Sequence, residues 1–191
     1  RGSGSAARSI FGGFVELRNG ESDEDAFAEQ LADAAHWPEL RDVVAVVAEG
    51  EKSVSSAEGH GLAVKSEMMA GRLEAIPERV RRVRDAIRQR DLAMLGEASE
   101  ADAVSMHAVM MTSRPPLFYW TSETLTAINA VREMRRDGVE AWFTIDAGPN
   151  VHVLTLESHR AEVERRLRDL GWRVISDGVG EGARVVLGGA S

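Results

Sequence analysis

Apolar residues follow two rhythms along this chain. Residues 43 to 50, VVAVVAEG, form a β-branched and almost unbroken apolar run, the pattern of a strand buried on both faces. AWFTI and VHVLTL flank the turn DAGPN, and WRVIS and ARVVL flank the glycine-rich DGVGEG; all four read as strands. A helical period runs from Leu62 to about Met111, where Ile76, Val80, Val83 and Ile87 share one face and arginines fill the other. The two prolines of SRPPLFYW end it. Thr121 or Ser122 caps a second helix, with Leu125, Ile128, Val131 and Met134 inside and Gly138 at its end. A third spans Ser158 to Gly171 and carries Val163, Leu167 and Leu170 on one side. Nearer the start, IFGGFVEL is a short apolar stretch in which Gly12 and Gly13 permit a close turn, and RNGES is a turn. Ser22 with Asp25 predicts a helix that puts Phe27 and Leu31 on one face and stops at Pro38. KSVSSAEGH reads as a polar loop. Helices and strands mix without regular βα repetition and without internal repeats, so the pattern predicts an α+β fold rather than a doubly wound sheet.

Composition narrows the chemistry. With 191 residues, 43% of them hydrophobic, the chain is long enough for one domain with a solid core and part of another. It has no cysteine, which removes disulfides, thiolate catalysis and cysteine-based zinc sites. A net charge of −8 argues against nucleic acid as a partner, and no apolar run approaches the ~18 residues of a membrane span. Lys52 and Lys65 are the only lysines, so no lysine is placed to serve a phosphate-binding loop at the start of the chain.

Three stretches carry candidate chemistry. In GSGSAAR, small residues let backbone N–H groups converge on an anion, with the hydroxyls of Ser3 and Ser5 beside them and Arg8 in or near the first turn of a helix. The same letters also suit a plain flexible terminus. In TIDAGPN, Asp146 stands at the end of a strand, where a carboxylate can act as a general base or orient a hydroxyl, or simply close an Asx-turn. In VSSAEG, Ser55 and Ser56 follow the buried strand and can meet a phosphate or cap a helix. The arginine run from Arg79 to Arg90 is interleaved with Glu78, Asp85 and Asp91 and reads as a solvated helix face. The five histidines, His36, His60, His107, His152 and His159, show no metal-binding spacing.

Taken together, GSGSAARSIFGGFVEL, KSVSS followed by a glycine, SRPPLFYW and FTIDAGPN resemble the mevalonate diphosphate decarboxylases, members of the galactokinase, homoserine kinase, mevalonate kinase and phosphomevalonate kinase superfamily. The resemblance spans residues 2 to about 187. It implies the C-terminal portion of a longer enzyme: residues 1–47 would end an N-terminal domain of the ribosomal protein S5 domain 2 type, and residues 48–191 would form the C-terminal antiparallel sheet-and-helix domain. It implies a cytoplasmic homodimer using ATP and Mg2+, with mevalonate 5-diphosphate as the small-molecule substrate and isopentenyl diphosphate as product. Site roles follow residue by residue. Asp146 would orient and deprotonate the 3-hydroxyl, and Arg8 would grip the substrate carboxylate. Ser3, Gly4, Ser5, Ser56, Ala57 and Ala147 would line the substrate. Some family members place a polar or basic residue where Ala57 stands, so a substrate with a single 5-phosphate, as in the monophosphate decarboxylases, is the alternative. A non-catalytic interaction module with the same fold is a second alternative.

Overall fold

The computed structural model describes residues 9–18, 20, 26–48 and 56–184, with backbone alone at 56–58 and 60. It divides into two compact units, Arg1–Pro38 with Gly178–Ser191, and Glu39–Asp177.

In the first unit, β1 (Phe14–Leu17) pairs antiparallel with β2 (Ala28–Ala32). Gly13 has φ +74°, and a Cβ there would lie 2.2 Å from the Ala32 carbonyl oxygen, so only glycine fits beside this hairpin. Trp37, 2% exposed, stacks on Phe14. The helix expected after Ser22 is not formed: Ser22 and Asp25 lie outside the described residues, and Phe27 to Leu31 belong to a strand and its approach. Positions four apart share a face in a helix and in a strand alike, so the Phe27–Leu31 pair does not distinguish the two. Pairing with β1 decides it. The expected final strand, ARVVL, lies mostly outside the described residues; Ala183 and Arg184 are not in a strand.

The second unit is built on a four-stranded sheet in the order β4-β5-β3-β6. These strands are β3 (Leu40–Val46), β4 (Ala141–Thr144), β5 (Val151–Leu156) and β6 (Arg173–Gly178). β5 runs antiparallel to both β3 and β4. The apolar run of β3 takes an interior position in this sheet, within the unit that begins at Glu39.

Among the described residues five helices complete the unit: α1 (Ser56–Ala63), α2 (Met69–Gln89), α3 (Leu92–Met111), α4 (Ser122–Arg136) and α5 (Glu157–Asp169). The single helical stretch expected from Leu62 to Met111 is thus three helices. α2 stops at Arg90, which takes a left-handed conformation (φ 56°), and Asp91 starts α3 by accepting the Met94 N–H at 2.9 Å. Alternation along the strands sets the core. Val43 and Ala45, Ala141 and Phe143, and Val151 and Val153 turn to one face, where Ile128, Val131 and Met134 of α4 and Val163 and Leu167 of α5 bury them. The arginines of α2 are laced to acids, Arg81 to Glu78, Arg82 to Glu97, and Arg79 to Asp102, as a solvated face requires.

β4 is an edge strand, and an open edge is a template for unwanted pairing. Two side chains take the place of a fifth strand. Glu100 of α3 accepts the Phe143 N–H at 3.0 Å, and Arg135 of α4 donates to the Ala141 carbonyl at 2.8 Å. Glu100 and Arg135 also pair with each other at 2.5 Å, with side-chain exposures of only 16% and 24%. The Arg135 guanidinium lies 4.2 Å from the centre of the Trp142 ring, and α3 passes so close to that ring that a Cβ at Gly96 would sit 2.0 Å from it. Glu100→Ala strips one N–H and one guanidinium of their partner in a mostly buried place. It is expected to lower the free energy of unfolding by about 2 kcal/mol. Glu133→Ala, on the exposed side of α4, should leave the denaturant midpoint near the parent's. Urea unfolding of the two variants checks this.

Candidate active site

β4 delivers the chain to Asp146 and then turns sharply through Ala147, Gly148 and Pro149 before β5 begins. The Asp146 side chain is exposed, while its neighbours are anchored on both sides. Ile145, 2% exposed, enters the main core. Ala147 packs on a second cluster, formed by Ala63 of α1, Val109 and Met110 of α3, and Leu117 and Tyr119.

Hydrogen bonds hold the turn at three places. The Asp146 carbonyl accepts the Gly148 N–H at 2.8 Å and lies 3.1 Å from Nε2 of His107. A carbonyl only accepts, so Nε2 carries the proton. The Pro149 carbonyl accepts the Thr124 hydroxyl at 2.8 Å. Asn150 Oδ1 accepts the N–H groups of Val47 at 3.0 Å and Ala48 at 3.3 Å, tying the turn to the end of β3. Thr124 also takes part in a reciprocal cap with Thr121, its hydroxyl accepting the Thr121 N–H at 3.1 Å. The start of α4 and the Asp146 turn therefore share one buried hydroxyl.

The second cluster also carries α1 to the same neighbourhood. Gly59 is buried, and a Cβ there would come within 2.6 Å of the Tyr119 hydroxyl oxygen, so α1 lies directly against Tyr119, a member of the cluster on which Ala147 packs. The segment SRPPLFYW alternates to make this contact: Leu117 and Tyr119 are buried and Phe118 is 66% exposed. α1 opens at Ser56, so Ser56 and Ala57 form its first turn, where free N–H groups favour an anion. The loop expected over KSVSSAEGH is helical from Ser56 onward.

Of the residues singled out from sequence, Ala147 packs on this cluster, Asp146 directly precedes Ala147, and Ser56 and Ala57 open the helix whose Ala63 belongs to the cluster. Ser3, Gly4, Ser5 and Arg8 lie outside the described residues. Sequence reasoning passes over His107 and Thr124. Metal spacing is the wrong test for a lone histidine that holds a carbonyl. The Thr121–Thr124 pair replaces the Ser/Thr-x-x-Glu form by which a reciprocal cap is usually recognised.

Two histidines here have opposite electrostatics. His107 is 1% exposed, and burial pushes its imidazole below the ordinary 6.5. His152, on β5, lies 2.8 Å from Asp42 on β3 through Nδ1; that hydrogen bond raises it above 6.5 against the effect of burial, with the charges of Asp42 and Asp146 adding to the rise. Among the described residues no group of three or more His, Cys, Asp or Glu side chains could hold a metal ion, and no helix is long and apolar enough to cross a membrane.

Comparison with known proteins gives a consistent picture. Residues 42–172 match the mevalonate 5-diphosphate decarboxylase C-terminal domain, and residues 1–28 match the diphosphomevalonate decarboxylase-like N-terminal domain. The chain is 38% identical over 163 residues to the diphosphomevalonate decarboxylase of Aspergillus fumigatus, covering 82% of this chain and 40% of that protein. It is 34% identical over 168 residues to the human one, covering 85% and 42%. Among solved structures, mevalonate diphosphate decarboxylase from Staphylococcus aureus matches with a TM-score of 0.88 at 32% identity, over 94% of this chain and 56% of that one. MDDEF in complex with MVAPP, AMPPCP and magnesium matches with a TM-score of 0.86 at 36% identity, over 94% and 56%. The chain therefore spans about half the length of the proteins it matches.

The His152–Asp42 pair makes a pH prediction. The folded-state pKa of His152 is raised, so its stabilisation is fully present below the unfolded value of about 6.5 and is lost as pH rises through the folded value. The stability difference between parent and His152→Gln should be largest near pH ~6 and should shrink toward pH ~9. Denaturant unfolding at a series of pH values measures it; a difference that grows with pH refutes the assignment.

Proposed function

The chain belongs to the mevalonate 5-diphosphate decarboxylase family, and on that footing we propose that the protein carrying it converts mevalonate 5-diphosphate to isopentenyl diphosphate with consumption of ATP. The observation that carries this reading is the exposed Asp146 carboxylate on a turn whose carbonyls are held by His107 and Thr124 and whose Asn150 side chain is tied to the end of β3. A turn held so tightly, presenting a single acid, suits a general base that must meet one hydroxyl in one orientation.

In this reading the 3-hydroxyl of the substrate gives its proton to Asp146 as its oxygen attacks the terminal phosphorus of ATP, and the bond from that phosphorus to the bridging oxygen breaks, ADP leaving with its electrons. The 3-phosphate so formed then leaves with its bonding electrons. The electrons of the bond to the carboxylate carbon form the new double bond, and carbon dioxide departs. Arg8 grips the carboxylate, for which the planar guanidinium offers two parallel donors. Ser3, Gly4 and Ser5, together with Ser56, Ala57 and the first turn of α1, receive the 5-diphosphate, and Ala147 lines the substrate beside the base. Magnesium enters with ATP, as part of a substrate. Phosphoryl transfer depends on positioning and charge stabilisation, so a site assembled from several short segments is physically reasonable. A cytoplasmic homodimer, with its domain boundary near residue 47, belongs to the same proposal. A substrate with one 5-phosphate is the second reading, favoured by Ala57, whose side chain offers no donor to a second phosphate.

Asp146→Asn tests the base. Asparagine keeps the shape and the turn but loses the charge and the proton affinity. Turnover in the complete protein should fall at least about a hundredfold, with the melting temperature little changed. Parent-like turnover by a folded Asp146→Asn protein would remove this function. Comparing the parent on mevalonate 5-diphosphate and mevalonate 5-phosphate decides between the two substrates.

A further inference from the structure

His107 is an expensive way to fill a core. It is almost fully buried, its Nδ1 has no hydrogen-bond partner among the described residues, and its Nε2 bonds to a backbone carbonyl. Burying an unpaired acceptor costs more than a single neutral hydrogen bond returns. On stability alone, a leucine or phenylalanine of similar volume would serve better. The imidazole therefore does something that packing does not require.

What it touches says what that is. The Asp146 carbonyl already accepts the N–H of Gly148, only two residues on, and such a local bond closes the turn without tying it to the rest of the protein. Nε2–H of His107 supplies the second bond, from α3, thirty-nine residues away in sequence. The ring is itself held: it meets Tyr119 edge-on at 5.9 Å between centroids and Trp120 tilted at 4.9 Å. We propose that His107 is the positioning residue of the Asp146 carboxylate: by clamping the Asp146 carbonyl to α3 through Nε2–H, it sets the direction in which the acid projects. This rests on the reading of Asp146 as the base at the 3-hydroxyl.

The charge state of the ring suits this role. The charged groups acting on it are Asp146, which favours the imidazolium, and Arg72 of α2, which opposes it; burial outweighs the rest and keeps the ring neutral. Arg72 is fixed by Asp102 through a two-pronged pair at 2.8 and 3.1 Å. A neutral donor orients the carbonyl without placing a cation beside the Asp146 carboxylate. Because Nε2 carries the hydrogen, a glutamine, whose amide nitrogen reaches about as far as Nε2, can replace it; a leucine cannot.

The test compares His107→Leu, His107→Gln and Asp146→Asn in the complete protein. His107→Leu should lower kcat by about a hundredfold while KM for the mevalonate substrate stays within a few-fold, because a misaimed base slows chemistry rather than binding. His107→Gln should recover most of that loss. A folded His107→Leu protein with parent-like kcat overturns the proposal, as does a His107→Gln protein no faster than His107→Leu. If Asp146→Asn is slow while His107→Leu is fast, only the positioning role falls. If Asp146→Asn itself turns over normally, the base assignment falls and this proposal with it. Should His107→Leu not fold, nitrogen-15 NMR of the parent's histidine rings still decides: at neutral pH the His107 ring should be uncharged and protonated at Nε2, and the opposite tautomer or a doubly protonated ring overturns the clamp.

Discussion

A carboxylate that acts on one hydroxyl must be exposed to reach it and immobile to aim at it. An exposed side chain receives little packing, so the immobility has to come from its backbone. That demand organises the second unit. Ile145 is sunk in one core and Ala147 leans on another, with Asp146 exposed between them. The carbonyls of Asp146 and Pro149 and the side chain of Asn150 are each bonded to a different element, α3, α4 and the end of β3. Backbone groups of a tight turn that cannot pair with each other must be paired from outside. Here the outside partners are buried side chains with few conformations of their own.

The rigidity of β4 extends this logic. The strand that delivers Asp146 lies at the sheet edge, with β5 as its only strand neighbour among the described residues. Without help it would be held by strand pairing on one side alone, and the acid at its end would inherit that freedom. The Glu100–Arg135 pair supplies the missing acceptor and donor, and Trp142 between Arg135 and Gly96 locks the strand against α3. A buried ion pair gains little in net stability once the loss of hydration is counted. Its value here is directional, since both members bond to the β4 backbone as well as to each other.

The two histidines near Asp146 show how environment divides labour among identical side chains. His107, sealed among Tyr119, Trp120 and the turn, stays neutral and serves as a hydrogen-bond donor. His152, on a strand beside Asp42, is drawn toward its charged form. One is set by burial and the other by a partner acid. They share a field source in Asp146, which pulls both toward the imidazolium.

Much of this is legible in the chain. The strand-like runs VHVLTL and AWFTI, the apolar stripes of α4 and α5, and the turn letters DAGPN are local signals, because strand pleat, helix pitch and turn geometry are fixed by residues close in sequence. They determine an α+β fold and put Asp146 at a strand end. Phe27 and Leu31 mislead because a spacing of four fits a helix and a strand equally, and only pairing with β1 separates them. The single long helix misleads because Arg90, not a glycine, takes the left-handed turn between α2 and α3. His107, Thr124 and Glu100 carry no signal at all. Each acts on a backbone group far along the chain, and no local period records which carbonyl or N–H a buried side chain will meet. That depends on how helices stack against the sheet, which the tertiary structure alone decides.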